Sequence, residues 1–293
     1  MNGTPKSAAA TIVAIDLAKD VFELAFADDQ SRVLDRQRPS RGKLLSWFEN
    51  RAPLRVVMEA CGSAHHWARR FQRLGHTVVL LPSHQVRPYV LRRKTDRTDA
   101  DGLLEADRCG RLRAVPVKSV EQQGIQALHR VREHHKSQRT QSINLVRGLL
   151  REFGIVLPVG AAKVRPGVLA ALEDADNELP IALRNALADP LERIREHELA
   201  KARIDVELEA FAARDPRSQR LQRAGGVGVI TATAVSASVG ELDRFPSGRH
   251  FASSLGITPR EHSSGNTRRL GRVTKHGDTY LRMLLIHGAR SSL

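Results

Sequence analysis

Five short apolar runs within the first 82 residues limit the fold more than any other feature of this chain. TIVAIDL (Thr11–Leu17), VFELAFAD (Val21–Asp28) and SRVLDRQ (Ser31–Gln37) follow one another across connections too short to hold a crossover. They therefore read as an antiparallel meander of three strands. KLLSWFEN fits a helix, LRVVMEA (Leu54–Ala60) a buried strand, HHWARRFQRLG a helix closed by Gly75, and HTVVLLP a further strand before another helix. Three strands, then helix, strand, helix, strand and helix is the pattern of an α/β domain with a mixed sheet.

The remainder of the chain has a different character. With 293 residues there is room for two domains and an elongated connector. Between Val120 and Glu152 the apolar residues Ile125, Leu128, Val131, Ile143, Val146 and Leu149 recur mostly at three- and four-residue spacings without a proline. After a segment punctuated by Pro158, Pro166 and Pro180, Pro190 opens LERIREHELAKARIDVELEAFAARD, in which charges of both signs alternate. This predicts an antiparallel pair of long helices or a coiled-coil arm suited to self-association, with a solvated spacer as the plainer alternative. Further on, the Gly-x-Gly turn of LQRAGGVGVITATAVSASVG fits a helix-hairpin-helix element holding a phosphate and a simple tight helix pair equally well. A loop rich in Ser, Gly and Arg follows, then a helix from about Asp278.

Charge divides the chain along the same lines. The 47 Lys and Arg against 32 Asp and Glu leave a formal charge of +15, which points to a polyanionic partner, and nucleic acid is the usual one. Residues 1–118 carry 21 positive and 13 negative side chains, residues 119–220 carry 16 and 15, and residues 221–293 carry 10 and 4. Two basic ends thus flank a nearly neutral helical middle, giving three expected domains with those boundaries. Cys61 and Cys109 make no disulfide framework and no CxxC pair, so a reducing cytoplasm is the expected setting and a structural zinc site is not. No apolar run is long enough to span a bilayer, and the first residues build no secretory signal.

Against this basic background, KTDRTDADGLLE (Lys94–Glu105) concentrates acids directly after the basic run VLRRK. Asp96 and Asp99, three apart, share a helix face and repel unless a cation lies between them. Asp16 and Glu59 each lie near the end of an apolar run. Three antiparallel strands followed by crossover units is the order of a ribonuclease H-like fold, in which the first and fourth strands lie side by side. Both acids would then emerge at one edge, with Asp96 and Asp99 packed against it. One or two Mg²⁺ ions, which take oxygen ligands, would neutralise four such carboxylates and serve phosphoryl transfer. The plainer readings are a turn residue, a cap and helix-start acids favoured by the macrodipole; spacing alone balances the two. Asp101, Glu105 and Asp107 read as solvated, Asp20 as a turn residue, and His65 and His66 as packing residues in preference to phosphate contacts.

A second constellation is EHSSGNTRRLGRVTKHG (Glu261–Gly277). Ser263 or Ser264, beside a glycine and followed by Arg268, Arg269, Arg272 and Lys275, suits a nucleophile attacking a phosphate whose charge arginines steady. A basic loop touching a nucleic-acid backbone explains the same residues and, on composition alone, better. Arg92, Arg93 and Lys94 of the VLRRK run are further candidates for nucleic-acid contact.

Taken in order, AIDLAKD, VVMEACGSAHHWA, KTDRTDADGLLEA and GITPREHSSGNTRRLGRVTKHGDTYLRMLLIHGAR resemble the DEDD transposases of the insertion sequence 110 family, including its 1111 branch. The resemblance spans nearly the whole chain. It implies α/β plus all-α architecture: an N-terminal RuvC-like ribonuclease H-fold domain, a long helical coiled-coil connector and a small, mainly helical C-terminal transposase domain. It implies Asp16, Glu59, Asp96 and Asp99 as Mg²⁺ ligands, and a catalytic serine that maps onto Ser264, with Ser263 as competitor. The serine would form a transient phosphoserine link to double-stranded DNA while an element is excised and inserted without lasting hydrolysis. A structured noncoding bridge RNA would act as guide. Dimers would assemble into tetramers, joining one subunit's acids to another's serine. Two departures stand out: the chain stops at GARSSL, which the resemblance marks as a shortened C terminus, and Gly102 interrupts the helix after Asp99. The competing expectations are a RuvC-like nuclease using metal-activated water and a noncatalytic nucleic-acid-binding remnant.

Overall fold

The apolar runs become a five-stranded sheet of order β3-β2-β1-β4-β5, built from β1 (Ile12–Asp16), β2 (Glu23–Ala27), β3 (Val33–Gln37), β4 (Arg55–Glu59) and β5 (Thr77–Leu81). β2 runs antiparallel to both β1 and β3, whereas β4 runs parallel to both β1 and β5. This is the ribonuclease H-like strand order expected from the connections. The structure, a computed structural model, describes residues 9–90, 95–240 and 242–293. It divides into two compact units, with the boundary between Ser119 and Val120. Arg92, Arg93 and Lys94 lie outside the described residues.

Alternation gives the sheet two faces of unlike texture. On one, Val13, Ile15, Phe22, Leu24, Phe26, Val56 and Met58 pack with Trp67, Ala68 and Phe71 of α1 (Ala64–Arg73). On the other, the small side chains Ala14, Ala25 and Ala27, with Val57, let a helix lie close. After the short α2 (Ser83–Val86), α3 (Asp96–Arg108) occupies that face through Ala100, Leu103, Leu104 and Ala106. Gly102 is part of this arrangement and does not break the helix. A Cβ there would lie 2.7 Å from Val90 Cγ2, so the missing side chain permits a close approach of the 87–90 segment. KLLSWFEN departs from expectation. It forms two 3-10 turns, Arg41–Lys43 and Leu45–Trp47, which bury Leu44 and Phe48. Lying between Pro39 and Pro53 and ended by Asn50 at φ 62°, the segment is too short to propagate a helix.

The second unit is built on α4 (Val120–Glu152) and α7 (Ala188–Arg214), which run antiparallel. Arg214 pairs with Glu121, Arg132 with Asp205, and His135 meets His197. Between them lie α5 (Val164–Glu173) and α6 (Ile181–Ala186), and Val146, Leu150, Val164, Val168, Leu187 and Leu191 close that end of the pair. α8 (Pro216–Leu221) and α9 (Val229–Val239) follow, with Ala237 of α9 packing among Ile125, Ile204, Leu208 and Phe211. Then come α10 (Gly248–Ser254), a hairpin of β6 (Pro259–Glu261) and β7 (Leu270–Val273), and α11 (Thr279–Ser291). The hairpin stands where a loop was expected. Gly226 in the Gly-x-Gly turn and Gly288 of α11 press backbone to backbone: a Cβ on either would lie 2.1–2.2 Å from the other's carbonyl oxygen. Close helix packing therefore accounts for this glycine pair. Among the described residues, no helix is long and apolar enough to cross a membrane.

Candidate functional site

The parallel register places Ile15 opposite Met58, so the next residues, Asp16 and Glu59, end adjacent strands at one sheet edge. Two residues before each acid, Ala14 and Val57 belong to the core beneath α3, so strand alternation directs both carboxylates to that same face. The direction of α3 is set at its far end, where Arg55, the first residue of β4, makes a two-pronged ion pair with Asp107 (2.8 and 2.7 Å). The N-terminal turn of α3 lies at the opposite end of the helix, where Asp96 meets Arg38, the residue that follows β3. TDRTDA starts a helix there for a local reason. Thr95 Oγ1 accepts the Thr98 N–H (3.2 Å) while Thr98 Oγ1 accepts the Thr95 N–H (2.9 Å), a reciprocal cap. Acids in the first turn also suit the helix dipole. The fold therefore ends β1 and β4 with Asp16 and Glu59 at one sheet edge and sets Asp96 against Arg38 beside it.

A further acid, not singled out in the sequence, lies opposite Asp16. Glu23 pairs with Asp16 across β1 and β2 and is only 6% exposed. Arg38 Nε lies 3.1 Å from Glu23 Oε2, and Arg36 Nη1 lies 3.9 Å from Oε1. The other end of the Arg38 fork reaches Asp96 Oδ2 at 3.4 Å, and Arg36 binds Asp101. Asp101 and Asp107, expected to be solvated, are thus tied to Arg36 and Arg55; Glu105 is exposed and pairs with Arg108. The sequence signal for Glu23 was present in VFELAFAD, where Phe22, Leu24 and Phe26 form one face and Glu23 joins the alanines on the other.

An all-carboxylate donor set fits a hard divalent cation in its chemistry. In this arrangement, however, no three His, Cys, Asp or Glu among the described residues are grouped to hold an ion, and a guanidinium lies against Asp96. His65 supplies packing: its Nδ1 accepts the Lys118 N–H (3.2 Å), and burial, reinforced by Lys118 and Arg69, pushes its pKa down to about 4.

In the second unit, the hairpin separates the two serines. Ser263 Oγ donates to Glu261 Oε1 (2.7 Å) and accepts the Arg269 N–H (3.1 Å), so its hydroxyl is engaged within the hairpin. Ser264 exchanges backbone hydrogen bonds with Thr267 (3.2 and 3.1 Å), leaving Gly265-Asn266 as a two-residue tip. Gly265, at φ +55°, has the positive φ that the first position of such a turn requires. The exposed Ser264 hydroxyl makes no hydrogen bond among the described residues. Gly-Asn between two short runs is itself a hairpin signal, masked by the Ser-, Gly- and Arg-rich composition around it. Arg268, Arg269, Arg272 and Lys275 are all exposed along this hairpin and its exit. The base is held by Arg282, which donates to the carbonyls of Leu255 (2.9 Å) and His276 (3.1 Å).

A ribonuclease H-like sheet with acids gathered at one edge, in a basic chain that also bears an exposed serine and arginine hairpin, defines a protein that works on nucleic acid. Comparison with known families narrows this. A DEDD transposase model of the IS110 type matches residues 13–155, and one described as "Transposase IS116/IS110/IS902 family" matches residues 218–293. The chain is 42% identical to a "Probable family 20 transposase" of Pseudomonas aeruginosa, over 95% of this chain and 83% of the relative. It is 37% identical to the "Transposase for insertion sequence element IS1111A" of Coxiella burnetii, over 96% and 78%, and 34% identical to the IS1328 transposase of Yersinia enterocolitica, over 96% and 83%. The chain belongs to the IS110 family of DEDD transposases, and its substrate is DNA.

Proposed function

We propose that this transposase excises and inserts a mobile element through Ser264, with Asp16, Glu59, Asp96 and Asp99 holding Mg²⁺ and a structured noncoding bridge RNA choosing the sites. In this reading the Ser264 oxygen attacks a DNA phosphodiester. A serine-oxygen-to-phosphorus bond forms as the bond to a deoxyribose oxygen breaks, and that oxygen leaves protonated as a strand-end hydroxyl. Attack by a hydroxyl of another strand reverses the step, so the phosphodiester is conserved and no water is consumed. Mg²⁺, when bound, supplies charge neutralisation at the phosphate and activation of an attacking oxygen. Arg268, Arg269, Arg272 and Lys275 would hold the DNA backbone beside the serine.

The observation that carries the reading is the common edge of Asp16 and Glu59, with Asp96 reached from it through Arg38 and Glu23. The choice of Ser264 is supported by its exposed hydroxyl at the hairpin tip, while that of Ser263 is engaged by Glu261 and Arg269. Residues 1–118 would supply the acids, 119–220 the connector and 221–293 the serine. Assembly through dimers to a tetramer is supported by the exposed apolar residues Val131 and Leu145 on α4 and Leu199 and Val206 on α7.

Ser264→Ala and Ser263→Ala variants test the mechanism on a plasmid carrying paired element ends. Ser264→Ala should lose both recombination and the covalent protein–DNA adduct, while Ser263→Ala keeps both. Mg²⁺-dependent cleavage that persists in Ser264→Ala without an adduct would instead establish a water-using nuclease. Sequencing RNA that co-purifies with the chain tests the guide: a discrete element-derived transcript is expected, and random cellular RNA would rule it out.

A further inference from the structure

We propose that Arg38, seated on the buried carboxylate of Glu23, is a built-in counter-ion for Asp96 that a divalent cation has to displace. The inference rests on reading Asp96 as a metal ligand and adds a competitor for that ligand within the same chain.

The two ends of the Arg38 fork are held very differently. Glu23 is fixed in β2, paired in register with Asp16, and 6% exposed, so its negative charge stays within the edge and needs a cation. Arg36 meets that need only in part. It is committed to Asp101, and its Nη1, 3.9 Å from Glu23, is buried without a hydrogen-bond partner. Arg38 therefore supplies the close contact, at 3.1 Å. Its outer end meets Asp96 at 3.4 Å, where the two side chains are 64% and 56% exposed. A contact that open is weak and exchangeable, while the Glu23 contact is shielded from water.

In this geometry Asp96 faces a guanidinium, and no closed ligand set is formed among the described residues. The guanidinium already offsets part of the charge of Glu23 and Asp96. A divalent cation brings twice the charge and accepts oxygen ligands from several directions, whereas the fork offers directional N–H groups to one oxygen at a time. The ion's affinity is then set against Arg38. The released guanidinium remains attached to Glu23, facing the cleft lined by Arg36, Thr95, Asp96 and Arg97.

The test is Mn²⁺ binding to the full chain, followed by electron paramagnetic resonance, for wild type, Arg38→Gln, Arg97→Gln and Asp96→Asn. Arg38→Gln should bind Mn²⁺ about three- to fivefold more tightly, as expected for removing an exposed ion pair that opposes binding. Arg97→Gln removes an equal charge from the same cleft. Arg97 has no ion pair among the described residues, so this variant should stay within about twofold of wild type. Asp96→Asn should weaken binding. Equal tightening by the two arginine variants, or none by Arg38→Gln while Asp96→Asn still weakens binding, would overturn the counter-ion and leave the metal site standing. Mn²⁺ binding that is absent from wild type and Arg38→Gln alike would overturn both. Circular dichroism melting of each variant confirms that the fold is retained.

Discussion

His129 offers the sharpest measurable consequence of how the second unit is packed. It is 3% exposed on α4. Thr233 Oγ1 donates to the Val229 carbonyl (2.8 Å) and so accepts from His129 Nε2–H (3.0 Å). Nδ1 in turn accepts the Tyr280 hydroxyl (3.0 Å), so both ring nitrogens are satisfied with the ring neutral. Burial, with Arg132 nearby, pushes the His129 pKa down to about 4, and burial pushes Tyr280 up to about 12. The folded pKa therefore lies below the unfolded value near 6.5. Between the two the unfolded chain holds more protons, and stability falls as pH drops through 6.5 towards 4. Each pKa unit is worth about 1.4 kcal/mol, so the full loss is about 3 kcal/mol, of which about 2 kcal/mol is already gone at about pH 5.

The variant is His129→Gln, whose amide N–H₂ replaces Nε2–H towards Thr233 and whose oxygen replaces Nδ1 towards Tyr280 without titrating. Urea unfolding followed by far-UV circular dichroism at about pH 8 and about pH 5 gives the comparison. The drop in stability between the two pH values should be smaller in His129→Gln by about 2 kcal/mol. An equal drop in both proteins would refute the claim that this ring is buried neutral. Trp47 and Trp67 both lie in the first unit, so their fluorescence follows His65 and its surroundings separately.

Gly102→Ala swaps a poor helix former for the best one, yet its Cβ would lie 2.7 Å from the stiff, branched Val90 side chain. A net destabilisation of about 1–3 kcal/mol is expected in tryptophan-detected urea unfolding, and a gain would disprove the close approach. Gly288→Ala places a Cβ 2.2 Å from the Gly226 carbonyl oxygen and should destabilise the second unit by about 2 kcal/mol or more. Gly228→Ala, which meets open space, should change stability by less than about 1 kcal/mol. Circular dichroism melting of the two variants side by side checks this.

Periodicity alone determined much of this protein. The apolar runs TIVAIDL and LRVVMEA, each with an acid near its end, and the lengths of the connections between runs implied a strand order with Asp16 and Glu59 side by side. The unbroken helical spacing from Val120 to Glu152 marked α4 at its observed ends. These patterns are local, set by backbone geometry within a few residues. Only the tertiary structure decided which charges meet. Arg36 and Asp101 are 65 residues apart, Arg38 and Asp96 58, and Arg55 and Asp107 52. Such pairs depend on strand register and on how closely a helix can lie over alanines. Glu23 reads as one acid in a strand until that register sets it opposite Asp16. Gly102 likewise reads as a helix defect until Val90 is packed against it. A side chain's periodicity is written in its neighbours along the chain, but its electrostatic partner is chosen by the fold.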